Sequence, residues 1–203
     1  MCPKYLCEFI WKCLLFGVLF IFLSVNSFCC IAMAGQKEIS PYDPRNFEAL
    51  SMPGTIPNLI VDDQRSSEDV FVNLKRRMES PADYFRDGLV KSIPSSTVIM
   101  QSTKCSIVFA IKNFIIEREK VLPKSHGDRG QITCRIKVDV YQFEDNKQSL
   151  IDTYHRTAFD DIDNISNNIK SYDFQNLLDR NFHGLLVEIF SDEKFITSLK
   201  QCQ

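Results

Sequence analysis

The sequence lacks an excess of charge of either sign. Its 203 residues carry 24 Lys and Arg against 26 Asp and Glu, a balance that gives no electrostatic reason to expect a nucleic-acid partner. Histidine is scarce. His126, His155 and His183 are the three present, reading as a loop, a strand and the polar side of a helix, and none has a partner at the spacing that nucleophilic or metal chemistry requires. Metal patterns are missing as well. SHGDRG, residues 125 to 130, is explained by Gly127 and Gly130 as a hairpin loop better than by a cation between His126 and Asp128. FDDIDNISNN, residues 159 to 168, groups Asp160, Asp161, Asp163 and Asn164. However, Ile165 stands where a calcium loop places an oxygen, and no glycine or closing glutamate follows. That run reads as an acidic turn before a helix. No metal and no cofactor is expected.

What is present begins with an export signal. The opening MCPKYLCEFIWK carries Lys4 and Lys12, and Cys13 to Val25 is uncharged and strongly apolar, the order of a secretory signal peptide. Three fates stay open. Ala32-Met33-Ala34-Gly35 suits cleavage after Ala34. Cys29 or Cys30 could take a lipid, although Phe28 precedes the pair. The uncharged stretch, if uncut to Ala34, is long enough to cross a bilayer of ~30 Å. Residues 1–34 are therefore a signal peptide or membrane anchor, and the expected location is the bacterial periplasm or cell envelope, with membrane association through the N-terminus. Two of the basic and one of the acidic residues lie in this leader, so the remainder carries 22 against 25. Five of the eight cysteines lie there too, leaving Cys105, Cys134 and Cys202. An odd number cannot all pair within one molecule.

Residues 35–57 are polar, contain Pro41, Pro44, Pro53 and Pro57, and show no sustained period, which reads as an exposed, flexible spacer. Leu59-Ile60-Val61 suggests a strand and Val70-Phe71-Val72 an irregular edge segment. Ser80 is placed to cap a helix with Pro81 in its first turn. Tyr84, Phe85, Leu89 and Ile93 fall on one face, Gly88 interrupts it, and Pro94 ends it. The clearest strand is ITCRIKVDVYQF from Ile132, where Ile132, Cys134, Ile136, Val138 and Val140 alternate with Thr133, Arg135, Lys137 and Asp139. Residues 105–116 are apolar on both faces and more central, and 150–159 complete a meander after the turn Glu144-Asp145-Asn146-Lys147.

Phe174, Leu177, Leu178, Phe182, Leu185, Leu186, Ile189 and Phe190 recur at helical intervals. At ~1.5–3 kcal/mol per fully buried large side chain, this stripe must cover something, and the dry face of the meander is the natural partner. Ser191 or Asp192 can cap a short closing helix through Phe195, Ile196 and Leu199. The expected fold is α+β. It is a single domain over 58–203, with a mainly antiparallel sheet of about four strands and two amphipathic helices on one face, in β-α-β-β-β-α order. If residue 118 faces residue 132, Cys134 lies opposite Ile116 and Cys105 sits tens of ångströms away at ~3.3 Å per residue, beyond disulfide reach. Cys134 then reads as a small core residue, and Cys202 can reach Cys105 or a second molecule.

The Asp63-Gln64-Arg65 triplet after a strand and the closing Ser191-Asp192-Glu193-Lys194-Phe195-Ile196 stretch are similar to signatures of the YajG-like small bacterial envelope lipoproteins. The order of parts over 58–203 resembles that group. More distantly, it resembles auxiliary lipoproteins of envelope lipid-transport systems. The resemblance implies no catalytic residue. It implies a non-enzymatic envelope accessory protein, assisting outer-membrane assembly or lipid transport, whose partner is an envelope protein or a lipid. That partner would bind the open face of the sheet or the gap between helices and sheet. Arg135, Lys137, Tyr141 and Phe143, pointing away from the dry face, are the candidate contact residues, unless a second helix covers the two rings. The alternative is a secreted small-ligand or virulence-type binding protein.

Overall fold

The computed structural model describes residues 37–66, 70–72, 74, 76–78, 80–100, 105–120, 129–163 and 174–202. Contacts divide the chain into Met1–Lys37 and Glu38–Gln203, and the architecture is that of the second unit. Cys29, Cys30, Ala34, His126 and residues 164–168 lie outside the described residues.

The sheet is built from β1 (Asn58–Asp63), β2 (Phe71–Val72), β3 (Cys105–Lys120), β4 (Arg129–Glu144) and β5 (Lys147–Asp163). β3, β4 and β5 form the expected antiparallel meander. Arg118 lies opposite Ile132 and Cys134 opposite Ile116, the register read from the sequence. A bulge at Lys112 then shifts it, so that Cys105 faces Glu144. Asp145 and Asn146 have φ of 46° and 63°, the paired left-handed conformation that matches a two-residue hairpin to the strand twist.

Two features of the sheet differ from expectation. β1 and β2 run parallel to β3, end to end along one of its edges, so the sheet is mixed. A parallel neighbour requires a crossover, and helix α1 (Pro81–Ser92) supplies it. The acidic run also departs from the sequence reading: Phe159 to Asp163 continue β5, paired with β4 as far as Arg129. Ile162 keeps the inward alternation there, and the long partner strand satisfies the backbone.

The segment 35–57, read as an exposed spacer, is corrected over its described part. Tyr42, Leu50 and Ile56 are buried, Ser40 N–H donates to Gln175 Oε1 at 2.9 Å, and Thr55–Ile56 pairs in parallel with Val98–Ile99. Its apolar residues are too few and irregular to show a period, yet Tyr42 seats on Phe182 of the helical layer and Leu50 and Ile56 are buried in the core. The segment is a strap.

Helices α1, α2 (Phe174–Ser191) and α3 (Glu193–Gln201) complete the unit. Ser80 Oγ accepts from Asp83 N–H at 3.1 Å, and Asp192 Oδ1 caps α3 by accepting from Lys194 N–H at 2.7 Å. All eight apolar residues of the predicted α2 stripe are buried, as are Ile132, Cys134, Ile136, Val138 and Val140 of β4. The seam between them is bridged by Asn181 Nδ2, which donates to the Cys134 carbonyl at 3.0 Å. α1 joins the same side of the sheet through Phe85 on Phe109 and Tyr84 on Phe114. Phe182 is the meeting point, its ring 5.0 Å from those of Tyr42 and Phe85 and 5.5 Å from Tyr84. Gly88 makes this approach feasible, because a Cβ there would stand 2.9 Å from Phe182 Cζ and 3.3 Å from Tyr42 Cδ1.

Cys202, just past α3, is disulfide-bonded to Cys105 at the start of β3, with Cα atoms 5.4 Å apart and the two cysteines 97 positions apart in sequence. Cys134 stays free and buried. Replacing Cys202 by serine is expected to lower the unfolding free energy by ~2–4 kcal/mol, read from urea unfolding with the slope fitted separately, because opening the cross-link exposes more surface in the unfolded chain. Gly88→Ala is expected to cost ~1–3 kcal/mol through overpacking, although alanine is the better helix former by ~1 kcal/mol. A stabilised Gly88→Ala protein would mean that the Phe182 ring has room to yield.

Candidate binding surface

With the helices on one side of the meander, the alternating positions of each strand decide what the other side presents. On β4 these are Thr133, Arg135, Lys137, Asp139, Tyr141 and Phe143, so the four sequence candidates share one face. No helix among the described residues covers it. The register extends the surface to both neighbours. Ile60 of β1 lies beside Val108 of β3, Val108 beside Tyr141, and Tyr141 beside Leu150 of β5. This apolar row crosses four strands. Its ends are open, with Ile60 at 41% and Leu150 at 55% exposure, and Phe143 stands next to it at 39%.

Charges flank the row in pairs. The bulge at Lys112 lets its ammonium reach Gln64 Oε1 at 2.6 Å and Asp139 at 3.7 Å. Asp139 also accepts from Thr153 Oγ1 at 2.7 Å and from the Tyr141 hydroxyl at 3.3 Å, which fixes the tyrosine ring in the row. Gln64 donates to Asp62 at 2.6 Å, and Arg65 grips both oxygens of Asp63 at 2.8 Å. The guanidinium and its two hydrogen bonds hold the Asp63 carboxyl below the usual carboxylate range. The Asp62-Asp63-Gln64-Arg65 stretch thus closes β1 and ties it to the β3 bulge. Farther along, Arg135 pairs with Glu117, and Lys137 is exposed between Asn113 and His155. Phe159, at 60% exposure, closes that end.

Sequence reasoning missed Ile60, Val108, Leu150 and Phe159. Period two within β5 would have flagged Phe159 once the strand's inward residues were fixed, whereas Leu150 reaches the same face only through the irregularity at Ile151. Ile60 and Val108 needed the parallel pairing. The other candidate location, the space between helices and sheet, is filled: Phe109, Phe114, Phe182 and Phe195 are fully buried within it.

Chemistry on the helix side is structural. Asp179 is buried and accepts from the Tyr84 hydroxyl at 2.5 Å and from Gln175 Nε2 at 2.7 Å. Burial, reinforced by that carboxylate, pushes the Tyr84 hydroxyl far up. Burial likewise pushes the Cys134 thiol up to about 12, so it is no nucleophile at neutral pH. His183 is not free on a polar helix face, as its place in the pattern suggested. Its ring stacks on Phe47 at 4.5 Å, and Nδ1 lies 2.9 Å from the Tyr42 hydroxyl. Beside it, a cleft of about 520 Å³ opens between residues 46–51 and the end of α2, lined by Phe47, Glu48, Leu50, His183, Val187 and Phe190. Among the described residues, no three His, Cys, Asp or Glu side chains gather where a metal could be held. No described helix is long and apolar enough to cross a membrane.

No family model matches the chain, and no curated protein matches it. Solved structures with a similar layout include a minor lipoprotein from Acinetobacter baumannii, 11% identical over 66% of this chain and 90% of that one, with a TM-score of 0.43. A Xanthomonas campestris protein described as DUF330 is 9% identical over 81% and 97%, with a TM-score of 0.47. A putative neuraminyllactose-binding hemagglutinin homolog from Helicobacter pylori is 7% identical over 81% and 97%, with a TM-score of 0.46. Likenesses this distant establish neither family nor function.

Desolvation, with the Arg156 charge adding to it and Glu48 opposing, lowers the His183 pKa from its ordinary 6.5. The fold therefore favours the neutral imidazole. Its contribution to stability is complete above pH 6.5 and lost as pH falls through the lowered value. An NMR titration is expected to place the His183 midpoint below 6.5, and a midpoint at or above that value would contradict the buried, stacked arrangement.

Proposed function

We propose that this is a non-enzymatic, exported envelope accessory protein that binds a protein partner through the open face of its sheet. The observation that carries the reading is the row Ile60, Val108, Tyr141 and Leu150, with Phe143 beside it. It is an apolar strip with an anchored aromatic, ringed by charges of both signs. Contiguous exposed apolar surface with a polar rim is the anatomy of a protein interface, and a tyrosine held by Asp139 supplies a rigid anchor. The mixed signs of the rim favour a protein over an anionic lipid surface, which would call for a basic field.

The leader sequence supports export, and the Cys105–Cys202 disulfide supports an oxidising compartment. The resemblance to YajG-like lipoproteins points the same way. A role in outer-membrane assembly or lipid transport is the finer form of this reading. The cleft beside His183 favours the second reading, a secreted protein that binds a small ligand there, since its size falls in the range of ligand pockets.

A photo-crosslinking amino acid placed at Leu150 or Phe143 of the full chain is expected to capture a discrete envelope protein in living cells. The same probe at Val90, exposed on α1, is expected to capture none, and Tyr141→Ala should cut the Leu150 adduct roughly tenfold or more. Equal labelling from Val90, or recovery of the protein in the culture medium with no adduct, would overturn the accessory reading in favour of the secreted one.

A further inference from the structure

β5 is the last strand of the sheet on its side, and among the described residues no strand pairs with its outer edge. Proteins usually guard such an edge with proline, a bulge, shortness or charged side chains, and on β5 the guard is charge, in Arg156, Asp160 and Asp161. β5 is 17 residues long and has no proline. Its one irregularity is near its start, where the register shifts between Val140 and Tyr141 and skips Ile151. From Asp152 to Asp163 the ladder to β4 is regular, leaving a straight edge with Phe159 exposed at its middle.

We propose that this edge docks a second copy of the chain, with two β5 strands antiparallel about a twofold axis at Ala158. Charge selects that axis. Placing it at Ala158 sets Arg156 of each copy opposite Asp160 of the other, and His155 opposite Asp161. Tyr154 then meets Ile162, and Thr157 meets Phe159. Residues directly opposite in a ladder share a face. The Arg156–Asp160 pairs therefore lie on the helix side and the His155–Asp161 pairs on the open side. Other axes do worse. An axis at Arg156, Asp160 or Asp161 sets like charges against each other, which destabilises a ladder. An axis at Thr157 makes no charge pair, and one at Phe159 sets Arg156 opposite Ile162.

The charged groups are already held at the edge. The Arg156 guanidinium lies against Gly184 of α2, where a larger residue would displace it. Asp160 is anchored by Arg180 at 2.7 Å, and Asp161 accepts from Gln131 at 3.2 Å. A second copy meets positioned side chains and avoids part of the ordering cost of association. The inference goes beyond the proposed function. It also enlarges its surface, since pairing at β5 joins two open faces into one and brings two apolar rows toward the axis.

Sedimentation equilibrium of the full chain in density-matched detergent tests this. The wild-type chain is expected to dimerise. Arg156→Asp and Asp160→Arg should each raise the dimer Kd about tenfold or more, through two symmetric pairs. The double variant should restore it to within a few-fold, because the swapped charges again oppose each other. A wild-type monomer at every concentration, single variants with unchanged Kd, or a double variant no tighter than the singles would each overturn the proposal. Should a single variant fail to fold, Thr157→Cys with Phe159→Cys gives a separate readout. Facing residues in a ladder lie within disulfide reach, so oxidation is expected to yield a covalent dimer above the wild-type background, and its absence rejects the edge.

Discussion

The ring of Phe182 is the contact on which the rest of the molecule depends. It sits where strap, first helix and last long helix converge, touching Tyr42, Tyr84 and Phe85 and lying in the space that Gly88 leaves free. Each of those neighbours belongs to a segment that could not bury its own apolar face alone. The strap has too few apolar residues, and α1 is a short helix whose central glycine weakens it. Their common docking on one ring makes the helical layer a unit, and that unit seals the dry side of β4. The burial of Asp179 and the desolvation of His183 both follow from this close packing.

The meander and the long helix were legible because their patterns are strict. Five alternating residues of β4 and eight helically spaced residues of α2 identify themselves without any long-range information. Caps at Ser80 and Asp192 were legible for the same local reason. The parallel seating of β1 and β2 was not, since six residues of NLIVDD specify a strand but neither its neighbour nor its direction. The strap was hidden by composition: prolines and polar residues surround Tyr42, Leu50 and Ile56, and only the folded core reveals their burial. In Phe159–Asp163 the acidic side chains masked the strand, since Asp160 takes an inward position, Phe159 an outward one, and Ile162 alone keeps the pattern.

The candidate surface was half legible. Arg135, Lys137, Tyr141 and Phe143 follow from knowing which side of β4 is dry, and the structure sets all four on one face. The apolar row they border is a property of register across four strands, so a single-strand reading reached only its middle. The Lys112 bulge adds something that periodicity opposes. One extra residue aims an ammonium at Gln64 and Asp139, fastening the Asp62–Arg65 stretch to the strand beside it. The resemblance carried by that triplet therefore has a local structural meaning at the end of β1, independent of any chemistry.

The Cys105–Cys202 bond has a mechanical consequence. A pull applied between the N-terminal side of the unit and Cys202 is routed through the sulfurs, so the stretch they enclose, its ends 97 positions apart, contributes nothing to extension. Only the strap, β1, β2 and α1 can pay out under tension. If the leader stays in a membrane, the meander and both C-terminal helices would ride such a load as a rigid block.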